Sequence, residues 1–355
     1  MPDMTFAFVI ARPPSPSLAA LLDQLEAELR DRGWQHTETD DADLILNVVD
    51  VDAPRPFRRH ARGTYAATIY DGAADDAGSI LSASYPLLVR SLANIVLANV
   101  GDAVWFTTME RGNYRASGSP LATVVLDRLL PLATARLVIE NEFRRDLEPG
   151  LWEGDAQTAE IASAGKRIDE LGLLPAPFPI EDLLDEHDLR HVHRLYGIGG
   201  LSYGNLSARK DARRFWMSAS GVDKTRLETP GRDILLVSDY DENRGVIILS
   251  VPPDVEPRRV SVDAIEHWMI YQAHPDVRAI LHVHGWLDGI PTTEFNYPCG
   301  TEELAISVAE AIAATADPAH AVIGLTNHGI TATGDSLTEI LDRIGARLRA
   351  QVPMA

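Results

Sequence analysis

Along the first 150 residues, hydrophobic positions recur at helical spacing in some segments and form short strand-like runs in others. Leucines at 18, 21, 22, 25 and 29 recur at helical spacing behind Ser17, a residue suited to an N-cap, and several short apolar runs have the length of buried strands. The predicted order is a strand at 5–11, this helix, strands at 43–51 and 64–70, a helix at 80–99, a strand at 104–106 and a helix at 120–145. This alternation predicts a small α/β domain over residues 1–150.

The second half begins after a linker-like segment at 148–155, which is rich in glycine, proline and charge. A helix is predicted at 158–171, strands at 206–209 and 214–217, and a helix at 262–273 with Ser261 at its N-cap. Apolar runs ending at His282 and at Leu325 read as further buried strands. These elements predict a second domain over residues 151–355.

Composition and charge narrow the range of partners. The chain has 355 residues and a formal charge of −20, which disfavours nucleic acid and anionic membranes because both require basic surfaces. The single cysteine, Cys299, excludes an internal disulfide framework, and no secretory signal precedes the first strand. A cytoplasmic protein is therefore expected. In this acidic chain, Arg55, Arg58, Arg59, His60 and Arg62 form a basic cluster that predicts either a solvated loop or an anion-binding site.

Two histidines occupy alternate positions at the end of an apolar strand. Because strand side chains alternate faces, His282 and His284 point the same way, and two neutral imidazoles so placed can chelate a divalent metal ion. His328 also follows a buried strand and supplies a possible third ligand. Three imidazoles suit zinc best, with a position left for substrate. The alternative is that these are unrelated histidines, each satisfied in the core.

The order of the polar motifs resembles that of a known family. The motifs are residues 202–209 (SYGNLSAR), residues 218–222 (SASGV), Ser261 with Asp263, the His282 and His284 pair, residues 300–304 (GTEEL), and Asn327-His328-Gly329. From about Thr158 to the C-terminus, the chain is similar to the class II aldolase/adducin family. The resemblance implies an α/β/α domain with a central, mainly antiparallel sheet. Residues 173–200 are an insertion relative to the family and contain His187, His191 and His193, which predict a solvated helix face or a second metal site.

Three polar loops could bind an anion. Gly204 and Asn205 precede a strand, Ser220 and Gly221 follow one, and Ser261 stands at a predicted helix start. Glycine permits close approach of backbone N–H groups, and a helix N-terminus favours negative charge. Taken alone, each loop is more often an ordinary turn or cap. In the sugar-phosphate aldolases that the chain resembles, the matching positions bind the substrate phosphate.

Two acids near the start of the helix at 262–273 are candidates for the proton-transferring group. Asp263 aligns with the glutamate that serves the family as acid/base, and Glu266 lies one turn further on the same face. The structural alternative is that both acids only favour the positive end of the helix. The resemblance implies a metal-dependent aldolase that cleaves a carbon–carbon bond next to a carbonyl on a small, hydroxylated, anionic substrate. The metal would stabilise the enediolate that forms.

Other interpretations remain open at this point. The family fold also carries epimerases, dehydratases and decarboxylases, and adducin-like members have lost the metal histidines. The family further implies a homo-oligomer, a dimer or the four-fold ring, with Tyr297 the nearest match to a tyrosine supplied across the subunit contact. Residues 200–204 (GLSYG) match the G-x-S-x-G motif of serine hydrolases, with Asp263 and His328 in the matching order. A helix before Ser202 and a strand after it argue against that interpretation.

Overall fold

The computed structural model describes residues 4–57, 63–73, 75–109, 112–174, 178–196, 203–350 and 352. The chain forms two compact units, the first built from Met1–Thr134 with Pro179–Val192 and the second from Ala135–Phe178 with His193–Pro353. The change from one unit to the other at residue 134 precedes the predicted boundary at residue 150. Residues 179–192, which lie within the predicted insertion, belong to the first unit.

Among the described residues up to 134, the first unit contains seven strands and three α-helices. They are β1 (Thr5–Ile10), α1 (Pro16–Asp31), β2 (Gln35–His36), β3 (Leu44–Val48), β4 (Tyr65–Asp71), α2 (Ala77–Ser91), β5 (Ile95–Asn99), β6 (Ala103–Thr108), β7 (Gly112–Ser117) and α3 (Leu121–Ala133). The order across the sheet is β2-β1-β3-β4-β5-β6-β7. Pairs from β2 to β5 are parallel and the last two are antiparallel. The predicted α/β class of this unit is confirmed.

Two predicted helices of the first unit were too long. The helix predicted at 80–99 ends at Ser91, where Leu92 adopts a left-handed conformation at φ 57°, and the β-branched pair Ile95 and Val96 then begins β5. The helix predicted at 120–145 ends at Ala133, after which the chain enters a strand of the second unit. The cap of α1 is Ser15 and not Ser17, because Pro16 occupies the first helical position.

In its described residues, the second unit has eight strands and four α-helices of its own. They are β8 (Glu140–Arg144), α4 (Ala156–Asp169), β9 (Gly204–Arg209), β10 (Phe215–Ser218), β11 (Ile234–Asp241), β12 (Val246–Ser250), α6 (Ala264–Ala273), β13 (Ala279–Val283), α7 (Glu302–Ala313), β14 (Val322–Leu325), β15 (Gly329–Gly334) and α8 (Leu337–Ile344). The helix α5 (Glu186–Tyr196) precedes β9. The sheet order is β14-β15-β13-β9-β10-β11-β12-β8.

This second sheet is antiparallel except at one edge, where β8 pairs parallel to β12, so the expectation of a mainly antiparallel sheet is confirmed. One hydrophobic cluster joins the sheet to α6 and α7, and a separate cluster joins it to α4 and α8. Both faces of the sheet are therefore covered by helices. None of the helices in the described residues is long and apolar enough to cross a lipid bilayer.

Candidate metal centre and its surroundings

Three histidine side chains meet at one end of β13. His282 lies in β13, His284 follows its last residue, and His328 lies in the turn of the β14–β15 hairpin. The backbone N–H of His328 donates to the carbonyl of Leu325, and Asn327 takes a left-handed conformation at φ 60°, which turns the chain back towards β13. The three imidazoles are buried, with 1%, 7% and 2% exposure respectively.

Two glycines allow the strands beside β13 to approach it closely. A Cβ atom at Gly204 would lie 2.3 Å from the carbonyl oxygen of His282, and one at Gly329 would lie 2.3 Å from that of Val283. Such distances are well inside van der Waals contact, so no side chain fits at either position. Gly204 therefore serves strand pairing at this position, and it also carries φ +145°, which favours glycine.

The ring nitrogens of the three histidines are spaced as ligands of one ion would be. One ligand atom from each lies within 4.8 Å of the others, and the Nε2 atoms of His282 and His328 are 3.2 Å apart. A tetrahedral zinc ion with bonds of about 2.0–2.1 Å places neighbouring nitrogens about 3.3 Å apart. The donor set and its spacing therefore fit a divalent metal of the zinc type.

The register of three strands places a polar residue on each side of His282. His282 pairs with Asn205 on β9 and with Thr331 on β15, so the three side chains form one row on the same face of the sheet. The start of α6 lies over this row. Asn205 Nδ2 donates to Asp263 Oδ2 at 2.7 Å, and Thr331 Oγ1 donates to Glu266 Oε1 at 2.6 Å.

Both candidate acids are buried beside the histidines. Asp263 is 6% exposed and Glu266 is 1% exposed, and they are joined to the residues on either side of His282. Carboxylates in such surroundings require hydrogen-bond donors, which Asn205 and Thr331 supply. The arrangement brings Asp263 and Glu266 to the histidine cluster.

A second buried network lies next to this row. His267 Nδ1 is 2.7 Å from Ser207 Oγ, which is 2.9 Å from the hydroxyl of Tyr271. Burial, together with the nearby His282, lowers the pKa of His267 well below its usual value, so this imidazole is neutral. The guanidinium of Arg209 stacks on the Tyr271 ring at 4.5 Å and donates to the carbonyls of Val277 and His274. Sequence reasoning missed this network because its members are 64 residues apart.

The remaining predicted anion-binding residues line the next loops. Ser220 and Gly221 are exposed after β10, and the backbone N–H of Ser220 donates to the carbonyl of Arg259. Ser261 is 9% exposed, but it is not the N-cap of α6 as predicted, since the cap is Asp263. The backbone N–H of Ser261 instead donates to the carbonyl of Ser218, next to the β-bridge between Ala219 and Val260. The helix therefore begins at Ala264, two residues later than predicted.

Two residues at the centre were not predicted from the sequence. Thr331 joins Glu266 to His282, since its Oγ1 also lies 3.3 Å from His282 Nδ1. Cys299 places its Sγ 3.3 Å from Nε2 of His328. The only sequence signal for Thr331 was its position three residues after His328, and Cys299 carried none beyond being the single cysteine of the chain.

Other histidines singled out in the sequence lie on α5. His187, which is 68% exposed, and His191 are one turn apart on α5 with Nε2 atoms 3.3 Å apart. Ligand atoms of Asp185, His187 and Asp188 also lie within 4.8 Å of one another, but both carboxylates pair with Arg90. The side chain of His193 is outside the described residues, so the alternatives for this helix stay open.

Arg55 is the described member of the basic cluster. It lines a cavity of about 460 Å³ in the first unit together with residues from the ends of β1 and β3, including Ile10 and Asn47. Arg58, Arg59, His60 and Arg62 lie outside the described residues. The choice between a solvated loop and an anion site therefore stays open.

Ser202 of the hydrolase-like motif also lies outside the described residues, while the helix α5 before it and the strand β9 after it are as expected. A nucleophile elbow has the opposite order. Tyr297, the residue nearest in position to the family's tyrosine, packs partly buried against the core on the α6 and α7 side of the sheet. Burial raises the pKa of its phenol.

Comparison with known proteins finds a family match for one segment of the chain. Residues 189–286 match the family model described as the class II aldolase and adducin N-terminal domain. This segment is similar to the class II aldolase and adducin family. It contains most of α5, all of β9 to β13 and two of the three clustered histidines. His328 lies beyond the matched segment.

Among curated proteins, the chain is similar to an enzyme named as a dehydratase. The chain is 37% identical over 81 residues to methylthioribulose-1-phosphate dehydratase from Cronobacter sakazakii, an alignment that covers 23% of this chain and 36% of that one. The chain thus spans about a third of the length of the curated relatives it matches.

Among solved structures, L-fuculose 1-phosphate aldolase aligns at 19% identity and a TM-score of 0.36 over 54% of this chain and 83% of that one. The l-fuculose-1-phosphate aldolase of Thermus thermophilus aligns at 21% identity and a TM-score of 0.33, over 53% of this chain and 87% of that one.

Proposed function

We propose that the second unit is a divalent-metal-dependent lyase that acts on a small, hydroxylated, anionic carbonyl compound such as a sugar phosphate or 2-keto acid. The observation that carries this proposal is the convergence of His282, His284 and His328, with Asp263 held next to them. Zinc is the ion that this ligand set favours. When bound, the ion supplies positive charge that stabilises the negative charge developing on a substrate carbonyl oxygen as the neighbouring bond breaks.

The acid residues of the chain would move the proton that this reaction requires. Asp263 is a candidate because Asn205 fixes one of its oxygens by a 2.7 Å hydrogen bond while the residue sits beside the histidine row. A buried carboxylate in a fixed orientation needs little rearrangement before it accepts or donates a proton. Glu266 is the second candidate, although one of its oxygens accepts from Thr331.

The anionic end of the substrate would bind along the loops that follow β10 and precede α6. Ser220 and Gly221 are exposed there, and Ser261 contributes a hydroxyl near the start of the helix. Hydroxyl and N–H donors of this kind bind phosphate or carboxylate oxygens. Holding the distal anion in this way would set which carbon atoms lie at the metal centre. In this proposal Gly204 and Asn205 shape the site through strand pairing and through Asp263.

A turnover screen tests the proposal. Protein purified without a histidine tag and loaded with zinc is assayed against sugar phosphates and 2-keto acids, beside His284→Ala and Asp263→Asn. The proposal expects turnover by the wild type and a loss of at least about 100-fold in both variants, the range typical of general acid–base catalysis. Equal turnover by all three proteins contradicts it. So does binding of less than one metal ion per chain that is unchanged in His282→Ala.

Dehydration is the second candidate reaction, because the relative from Cronobacter sakazakii at 37% identity is a dehydratase. The same histidines and a proton-transferring acid could serve the loss of water, in which a proton leaves the carbon next to a carbonyl, a hydroxyl group leaves the following carbon, and a double bond forms between them. Product analysis separates the two reactions. Cleavage yields two shorter carbon compounds, while dehydration yields one product lighter by one water. The related epimerase and decarboxylase reactions would appear in the same analysis as an isomer or as released carbon dioxide.

We also propose that the protein is a cytoplasmic homo-oligomer. The acidic surface suits a soluble compartment, and the family resemblance implies a dimer or a four-fold ring. Analytical ultracentrifugation at micromolar concentration tests the assembly, and a monomer there contradicts it. A Ser202 nucleophile is the remaining competitor, and labelling of Ser202 by a fluorophosphonate would support a hydrolase in place of the lyase.

A further inference from the structure

We propose that Glu266 is a positioning residue that acts through Thr331 to fix the tautomer of His282. In this assignment Nδ1 of His282 carries the proton and Nε2 presents its lone pair to the metal. The assignment of the tautomer rests on the hydrogen bonds alone. Its effect on metal affinity rests on the proposed function of the centre.

The threonine hydroxyl determines the direction of the chain of hydrogen bonds. Thr331 Oγ1 lies 2.6 Å from Glu266 Oε1, and a carboxylate oxygen only accepts, so the single hydroxyl proton is donated to Glu266. The same oxygen lies 3.3 Å from Nδ1 of His282, and having given its proton it can only accept there. The proton of the neutral imidazole is therefore on Nδ1. The other ring nitrogen, Nε2, faces Nε2 of His328 at 3.2 Å.

Burial makes this arrangement hard to replace. Thr331 is fully buried, and Glu266 and His282 are each 1% exposed, so bulk water does not substitute for a lost partner. The strand register reinforces the contact, because Thr331 and His282 are direct neighbours across β15 and β13. A histidine ligand whose second nitrogen donates to a fixed acceptor is held in one orientation and is a better ligand. Here the carboxylate of Glu266 acts on His282 indirectly, through the hydroxyl of Thr331.

The two acids of α6 then have different tasks. Glu266 fixes the orientation of His282 through Thr331 on β15. Asp263 instead accepts a hydrogen bond from Asn205 on β9. Glu266 is three positions after Asp263, the N-cap of α6, which is about one turn, so the start of one helix reaches both neighbours of His282. Glu266 is thereby assigned to positioning, and proton transfer is left to Asp263.

Nuclear magnetic resonance of the metal-free protein tests the tautomer directly. The full chain is labelled with ¹⁵N at its histidines, and two-bond nitrogen–proton correlations are recorded at about pH 8, where ordinary imidazoles are neutral. The wild-type His282 signals, assigned by their loss in His282→Gln, are expected to show the pattern of an Nδ1-protonated ring. An Nε2-protonated ring overturns the proposal.

A variant series then links the tautomer to Thr331 and Glu266. In Thr331→Val the acceptor is removed and His282 is expected to lose the single-tautomer pattern, whereas Thr331→Ser retains it. Glu266→Gln keeps an acceptor oxygen but loses the charge, and a smaller change is expected. Thr333→Val is the matched control, because Thr333 is equally buried two residues along β15 and bonds instead to the carbonyl of Pro318.

Zinc affinity, measured by competition with a chelator, supplies the second readout. Thr331→Val is expected to bind zinc about 10- to 100-fold more weakly than the wild type. Thr331→Ser and Thr333→Val are expected to bind zinc about as tightly as the wild type. An unchanged tautomer and affinity in Thr331→Val overturns the proposal, as does a loss in Thr333→Val of the same size. If neither the wild type nor any variant binds zinc, but His282 of the wild type is protonated on Nδ1, the positioning assignment stands and the proposed metal function fails.

Discussion

Asn205 and Asp263, 58 residues apart in the chain, are joined by a 2.7 Å hydrogen bond from the Asn205 amide to the aspartate Oδ2. The partner of a buried carboxylate affects the rate of proton transfer, whereas a substrate ligand affects binding. In Asn205→Ala we therefore expect kcat to fall about 10- to 100-fold with little change in KM. Steady-state kinetics with the substrate found by screening would show this. A raised KM at unchanged kcat would instead assign Asn205 to substrate binding.

Zinc should stabilise the fold through the three clustered histidines. A ligand that binds only the native state at 100 times its dissociation constant adds about 2.7 kcal/mol to the free energy of unfolding. Differential scanning fluorimetry with and without zinc is expected to show a higher Tm that disappears in His282→Ala. His320→Ala is the control, because His320 is bonded to Asp317 at the surface and should leave the zinc effect intact. An equal zinc effect in both variants would argue against the site.

Cys299 should be protected by metal. Its sulfur lies 3.3 Å from Nε2 of His328, so an occupied centre crowds the thiol and restricts the approach of a reagent. The rate of alkylation by iodoacetamide, followed by mass spectrometry, is expected to fall when zinc is added. Since this is the single cysteine of the chain, the label is unambiguous. Protection that persists in His328→Ala would show that the metal acts from elsewhere.

Lys224 should destabilise the folded chain near neutral pH. Burial lowers the pKa of its ammonium from 10.5 to about 8. Between these two values the unfolded chain holds a proton that the folded chain lacks, so the free energy of unfolding rises as pH increases from about 8 to 10.5. A pKa that differs by one between the folded and unfolded chain corresponds to about 1.4 kcal/mol of free energy.

The corresponding variant is Lys224→Met, which removes the buried charge and keeps most of the volume. We expect it to raise the free energy of unfolding at pH 7 by on the order of 1–3 kcal/mol, with a weaker dependence on alkaline pH than the wild type. Urea unfolding at several pH values measures both effects. Lys210→Met is the matched control and should lose stability, because Lys210 pairs with Asp155 at 2.8 Å. A loss of the same size in Lys224→Met would contradict the argument.

The sequence predicted the parts of the centre that local pattern encodes. His282 and His284 share a face because a strand alternates its side chains, and the turn at Asn327 and Gly329 placed His328 after a buried run. It could not predict Thr331 as a neighbour of His282, because that contact depends on the register between β13 and β15. Cys299 was missed for the same reason, since only tertiary folding brings it to His328.

The helix predictions failed where local and tertiary preferences differ. Residues 140–144 (ENEFR) contain helix-forming glutamates, yet they form β8, because the free side of β12 offers a row of backbone hydrogen bonds. The helix predicted at 80–99 was overextended because apolar residues recur on both sides of Arg90, Ser91 and Asn94 and continue into β5. Periodicity alone does not separate a buried helix from a buried strand.

The parallel strand β8 determines where the chain can be shortened. It is contributed by residues that precede the linker-like segment, and a protein started at residue 151 would leave the backbone of β12 uncovered along Val246–Ser250. An uncovered β-strand of this kind, with Ile247, Ile248 and Leu249 in sequence, pairs readily with other chains and aggregates. Expression of the second unit for crystallography therefore has to begin before Glu140, although the sequence alone suggests a later start.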